Sequence, residues 1–503
     1  MGFLIVASSL VFLFIAFKLL TKKSKPESPL DRIPGPTRLP LIGSLHHLAG
    51  KLPHHIFRDL AKKHGPLINV HLGELPWLIV SSVDVAKEVM RNHDILWANR
   101  PHGLVATAIS YNYTNLGMAP YGEHWRHLKK IATLELLSVK RVRSFRKIRE
   151  EENFNLAKHV ATNEGSLVDL SHRGFLLSFE VTTQSTIGKK TDQEQKAITS
   201  AITDILKLGS GLSFADLYPS SKLIPIISGM NSRVNRIFKQ ADAILESIMK
   251  QHRAYMEAKT SDERLEDLAD VLLQHQKDKD ELPLTDETIK GVVMDMFVAG
   301  SDTSATGVEW VMSELVKKPS TLKKATEEVR RVMDGKGYVD ESMFDDLPYL
   351  KLVVKETLRM HPPLPFLVPR ISSQKCELNG YEIPAETRLI VNAWALGRDP
   401  NYWGDDAEEF KPERFEDSSL DYRGNNLEYI PFGSGRRICP GMNFGVANVE
   451  FTVATLLYHF DWEMPKGMKN EDLDMAEDFG VTVKRKNNLM LIPTVKRPLN
   501  RAP

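Results

Sequence analysis

The residues best placed to do chemistry lie in PFGSGRRICPG, positions 431–441, which carries one of only two cysteines in a 503-residue chain. A phosphate loop is excluded. Gly433 and Gly435 are spaced G-x-G, but Ile438 stands where a third glycine belongs, and no Gly-Lys-Ser/Thr follows. A structural zinc site is excluded as well, because Cys376 is the only other thiol and no C-x-x-C exists. What remains is one thiolate, Cys439, on an open basic loop. Gly433 and Gly435 permit positive φ and close backbone approach to something flat. Gly441 turns the chain into an apolar helix over 443–458, whose N-terminus favours a thiolate. Arg437 can meet a carboxylate. A sulfur ligand beside a planar, carboxylate-bearing group describes haem with a cysteine axial ligand.

The pattern F-x-x-G-x-R-x-C-x-G is matched by Phe432, Gly435, Arg437, Cys439 and Gly441, and it resembles the haem loop of the cytochromes P-450. The resemblance extends over nearly the whole chain. AGSDTS at 299–304, ETLR at 356–359 and PERF at 412–415 stand in family order, and FVAGSDTS with APYGEHWR is most similar to the plant microsomal (A-type) oxygenases of specialised metabolism. It implies a mainly α fold with a smaller β region (α+β). It also implies haem b on Cys439, O2 as co-substrate, and NADPH used only through a separate reductase.

Within that frame each motif has a chemical reading. Gly300 lies inside the long helix, where glycine costs about 1 kcal/mol against alanine, and Thr303 can bond back to the Ala299 carbonyl and bend the helix, a bend that would leave a local groove for O2. Asp302 and Thr303 then form an acid–alcohol route for protons. Glu356 and Arg359 share a helix face at i, i+3, and the family pattern adds Arg414 to make a buried structural network. By resemblance Trp125, Arg126 and Arg370 reach the haem propionates. Lys129 stands where the family's arginine is expected and offers a point charge in place of a fork. Cys376 packs on a strand and carries no role.

The elements that must position these groups follow from periodicity. The longest helical segment runs from Thr285, a cap, to Lys317, and Pro319 ends it. It is too long for a surface helix and crosses the molecule's middle. Alternating residues at Leu67–Leu72 and Trp77–Ser81 predict a small early sheet. Residues 1–21 read as a membrane anchor: Phe3–Leu20 is almost wholly apolar and spans most of a hydrocarbon core about 30 Å thick. Lys22, Lys23 and Lys25 follow, so the body is expected on the cytosolic face of the endoplasmic reticulum, as a single-pass protein in the lipid bilayer. Residues 22–44 form a basic, proline-rich hinge, and residues 45–503 one haem-thiolate domain. A net charge of +1 gives no footprint for nucleic acid, and two cysteines point to folding in a reducing compartment.

Two functional classes remain open: a monooxygenase, or a haem protein of another kind such as an isomerase or electron carrier. With no nicotinamide or flavin site, a membrane-bound NADPH–cytochrome P-450 reductase is the expected partner, docking on Lys140, Arg141 and Lys147 among the cations of 126–149. By resemblance the substrate pocket takes in Ile109, Leu116, Met118, Leu208, Leu212, Met296, Val298, Leu364, Phe366, Leu367, Val368 and Val481. That set is apolar. It suits a small di- or sesquiterpenoid, with an alkaloid or phenolic as the alternative.

Overall fold

In the computed structural model, residues 28–209, 214–258, 266–277 and 282–500 are described. The expected anchor, residues 22–27 of the hinge and Leu212 lie outside them. Among the described residues no helix is long and apolar enough to cross a membrane.

The body is mainly helical. The elements that bear on function are α1 (Pro53–His64), α2 (Glu123–Ile131), α3 (Leu170–Ile187), α4 (Asp192–Gly209), α5 (Met230–Glu257), α6 (Asp286–Lys317), α7 (Pro348–Met360) and α8 (Met442–His459). α6 is the predicted central helix. Thr285 caps it, its hydroxyl accepting from Thr288 N at 3.1 Å, and Pro319 opens the next helix. Nearly every residue of its second half is buried, against α3, α7 and α8. Gly300 and Gly307 allow close approaches, since a Cβ would lie 3.1 Å from Thr182 Cγ2 on α3 and 2.9 Å from Val449 Cγ2 on α8.

The smaller β region is a four-stranded sheet of β1 (Leu67–Leu72), β2 (Leu75–Val80), β3 (Arg370–Ile371) and β4 (Arg388–Val391), ordered β1-β2-β4-β3. β1 and β2 pair antiparallel, with Leu72 opposite Leu75, and β2 runs parallel to β4. β2 begins two residues earlier than the sequence suggests. Pro76 lies just outside the stretch Trp77–Val80 that pairs with β4, where a residue with no N–H is tolerated. Cys376 does lie on a short strand, Cys376–Leu378.

A C-terminal hairpin, β5 (Glu477–Phe479) with β6 (Val483–Arg485), carries Val481 at its tip and docks along α6. Trp310 Nε1 donates to Val483 O at 2.9 Å, and Arg485 N donates to Glu309 Oε2 at 3.2 Å. Strands and helices thus converge on the middle of α6 from opposite sides.

Candidate active site

Cys439 sits at the end of a tight loop that leads into α8. Its N–H donates to Phe432 O at 3.0 Å, closing the loop on itself. Gly435 has φ of 71°, and a Cβ there would come within 2.5 Å of Met90 O and 2.7 Å of Asp94 Oδ1. Both constraints require glycine. On the Cβ side of Gly435 the close approach is to the protein's own backbone and to Asp94, which also accepts from Arg436 N at 2.8 Å. The thiol's ionisation differs from expectation. Burial pushes it up, and the Gly441 N–H and the Lys129 ammonium only partly offset that. A helix N-terminus alone does not hold a thiolate here; a metal cation would.

On α6, Met296, Ala299 and Thr303 share one face, and Ala299 is exposed in the middle of an otherwise buried helix. Thr303 Oγ1 donates to Ala299 O at 2.6 Å, as the sequence suggests. Asp302 points elsewhere. Its Oδ2 accepts from the Thr482 hydroxyl at 2.6 Å, and its Oδ1 pairs with the Lys484 ammonium, both on the hairpin. Another acid near this face, Asp295, is already engaged: Asn115 Nδ2 donates to Oδ1 at 2.6 Å and Gly117 N to Oδ2 at 2.9 Å. Burial raises its carboxyl to about 7 against these hydrogen bonds.

The electrostatics of the opposite wall are lopsided. Three buried arginines, Arg100, Arg370 and Arg437, lie close enough to depress one another, and among the described residues Asp94 is the one carboxylate bonded to them, at 3.4 Å from Arg370 Nη1. Burial first, then mutual repulsion, brings Arg437 down to about 10 and holds Arg100 well below its usual value. Their donors meet backbone carbonyls. Arg437 Nε reaches Ala98 O at 2.7 Å, and Arg100 Nη1 reaches Val368 O at 2.8 Å. Such buried positive charge calls for anionic partners. Haem, with two propionates and an iron to take the Cys439 sulfur, fits these residues.

Trp125 is buried beneath Arg437, whose guanidinium carbon is 4.3 Å from the ring centre, and its Nε1 donates to Leu116 O at 3.1 Å. Lys129 Nζ donates to Ile438 O at 2.7 Å, inside the cysteine loop, and burial brings its ammonium down to about 8. Arg126 does not join the cluster. It is exposed, because consecutive helical residues are turned about 100° from one another. Arg100 went unnoticed in sequence. Its signal is a single charge in the apolar run ILWANRP.

Glu356, Arg359 and Arg414 come together as expected. Arg359 donates through Nε and Nη2 to the two Glu356 oxygens at 2.7 Å, Arg414 Nε reaches Oε1 at 3.2 Å, and Arg359 Nη1 also holds the Gly397 and Ala407 carbonyls at 2.6 Å.

The pocket set divides. Ile109, Met118, Met296, Val298, Leu364, Leu367 and Val481 are half-buried, and Val481 Cγ2 would lie 3.3 Å from a Cβ at Gly209, the end of α4. Leu116 and Leu208 are buried core. Phe366 packs on Phe57 and Phe479, at 5.3 and 5.8 Å between ring centres. Val368 is exposed.

A mainly helical fold, a small sheet and a cysteine loop set against a long central helix define a haem-thiolate protein. A cytochrome P450 family profile matches residues 33–492, and the chain belongs to that family. Salviol synthase of Salvia pomifera is 49% identical over 97% of both chains, and germacrene A hydroxylase of Barnadesia spinosa 45% over 97% of both. Tabersonine 6,7-epoxidase isoform 1 of Catharanthus roseus is 46% identical over 98% of this chain and 96% of its own. A zebra fish cytochrome P450 solved with abiraterone superposes with a TM-score of 0.75 at 22% identity, covering 88% of this chain and 99% of that one, which shows the shared fold. The chain is a cytochrome P450 monooxygenase, using cysteine-ligated haem, O2 and reductase-supplied electrons from NADPH.

Proposed function

We propose that this monooxygenase hydroxylates a di- or sesquiterpenoid at an unactivated C–H bond, with Cys439 as the iron ligand. The carrying observation is the exposed face of α6. Met296, Ala299 and Thr303 offer no charge there, Asp302 is turned to the hairpin, and both oxygens of Asp295 are taken. An apolar substrate is held there by burial, at about 25 cal/mol per Å2. The relatives named germacrene A hydroxylase and premnaspirodiene oxygenase support this reading.

Thiolate-ligated haem, when bound, supplies the oxygen activation. The chain's part is to hold it and to manage protons. Arg100, Arg370 and Arg437 take the propionates, with Trp125 beneath. Arg126 is left out. Thr303 presents a hydroxyl at the open face, and Asp302 stands one residue behind it as the acid in reserve.

The anchor and cytosolic orientation remain part of this proposal. Support comes from Leu39 and Ile42 in the hinge and from Leu223, Ile226 and Ile227, all exposed; Tyr218 bonds Leu41 O at 3.3 Å, so the two segments adjoin. For the reductase, Lys140 and Lys147 are exposed, whereas Arg141 is engaged by Glu266 at 2.7 Å. Charge reversal at Lys140 and Lys147 should weaken reductase-driven turnover and spare peroxide-driven turnover; equal loss in both counts against docking.

The deciding experiment incubates holoenzyme, reductase and NADPH under 18O2 with panels of diterpenes, sesquiterpenes, indole alkaloids and phenolics. One labelled oxygen in a terpenoid product is expected. Turnover confined to alkaloids, in keeping with the tabersonine 6,7-epoxidase relative, or to phenolics would overturn the substrate class and leave the monooxygenase.

A further inference from the structure

On the far side of the hairpin from Asp302, three histidines and a buried carboxylate converge. His54 and His55 open α1, and each places Nε2 at 2.9 Å from Glu477 Oε2, at the start of β5. His361, just past α7, approaches the other oxygen, with Nδ1 3.9 Å from Glu477 Oε1. A cavity of about 370 Å3 opens beside them, lined by His55, His361, Trp394 and Glu477.

The hydrogen-bond inventory leaves a gap. His361 Nε2 lies 2.7 Å from Glu314 Oε1, an acceptor, so Nε2 carries the proton and Nδ1 holds a lone pair. That lone pair has no partner, its side chain is only 8% exposed, and it faces a carboxylate oxygen across 3.9 Å. Two electron-rich atoms at that spacing suit a cation between them, since metal–nitrogen and metal–oxygen bonds are each about 2.0–2.2 Å. Charge agrees. Arg58 pairs with Asp59 at 3.1 Å and Glu408 at 2.8 Å, and Arg398 pairs with Glu408 at 3.1 Å, so these two cations are matched by two carboxylates and Glu314 and Glu477 are left over.

We propose that His54, His55 and Glu477, with His361 as a reserve ligand, form a binding site for a divalent transition ion of the imidazole-preferring class. The ligand atoms of His54, His55 and Glu477 lie within 4.8 Å of one another. At ordinary bond lengths, the 2.9 Å nitrogen–oxygen separations correspond to about 90° at the ion, and a shift of about 0.4 Å opens them to a tetrahedral angle. Binding moves the proton of His54 to Nδ1, which has no hydrogen-bond acceptor, so the site is weaker than a closed structural zinc site. The cavity leaves a coordination position open. The ion would clip α1 to β5 and so brace the hairpin that carries Phe479, Val481, Thr482 and Lys484.

The test is competition between haem-loaded enzyme and a chromophoric chelator for Zn2+, with thermal unfolding read in parallel. One strong Zn2+ site per chain and a raised midpoint are expected. His55→Ala, at a half-buried side chain, and Glu477→Gln should each weaken binding by about tenfold or more, with the carbon monoxide spectrum unchanged. His47→Ala, outside the cluster, should leave binding intact. Absence of a stoichiometric site would show a purely hydrogen-bonded cluster and overturn the proposal. Binding that survives His55→Ala, or is lost with His47→Ala, would overturn it too.

Discussion

Asp302 and Lys484 form an ion pair that ties the middle of α6 to the C-terminal hairpin. Asp302 is buried, while the Lys484 side chain is 43% exposed and rides over the Phe175 ring. The pair joins the interior acid to solvent. Lys484→Met should lower product per NADPH, raise peroxide release, and leave haem content unchanged. Because Lys484 is half-exposed, its stability cost should be no more than about 1 kcal/mol. Asp302→Asn should slow product formation by about 10²-fold or more with haem binding retained. Unchanged coupling in both variants would show that protons enter by another path.

The cysteine has no substitute among the described residues near the arginine cluster. Cys439→Ser should abolish turnover and the thiolate-type carbon monoxide band while the chain still folds. A retained band would reassign the ligand.

Glu356 answers to the buried Arg359, to the half-buried Arg414 and to Lys411 N at 2.8 Å. Replacing it with alanine strands Arg359, whose remaining partners are carbonyls. The loss should be about 3–5 kcal/mol, visible as failure to accumulate haem-loaded protein. Arg414→Lys should be milder, because Asp406 at 2.8 Å still offers a partner.

Glu180, Asp295 and Glu450 are each raised to about 7, with burial as the leading cause. An acid whose folded pKa is raised holds more protons folded than unfolded, so stability is greatest at low pH and falls between about pH 4 and 7. Burial holds His54, His71 and His459 low, which pulls the opposite way, so the decline is read as the wild-type thermal midpoint against that of the Glu450 variant from pH 5 to 8. Glu450→Gln should flatten the decline; an unaltered slope would remove Glu450 from the account.

Val481 at the hairpin tip meets the end of α4, and Leu367 has a Cδ1 4.0 Å from where a Gly433 Cβ would lie. Val481→Phe and Leu367→Ala should shift product ratios more than haem content. One methylene in an apolar pocket is worth about 1–3 kcal/mol of discrimination. Parent regiochemistry in both would place them outside the pocket.

What the sequence conveyed was local and dense. The cysteine loop, the span of α6, the Thr303 back-bond and the Glu356–Arg359 pair each sit within a few residues, where periodicity and spacing fix neighbours. What it withheld comes from convergence. Arg100 joins Arg370 and Arg437 only after the sheet and the cysteine loop close together. Lys484 reaches Asp302 across 182 residues, and Glu477 reaches His54 across most of the chain. Arg126 misled because adjacency in sequence is divergence on a helix.

The arginine cluster carries a consequence for biosynthesis. Before cofactor arrives, Arg100, Arg370 and Arg437 share one acid, and that wall of the interior is at odds with itself. Anything that binds the folded chain alone draws it toward folding. The chain therefore matures at the pace of haem supply. In a cell short of haem, newly made chains would linger in an incompletely packed form open to proteases, and the shortage would register first as missing protein and only then as missing activity.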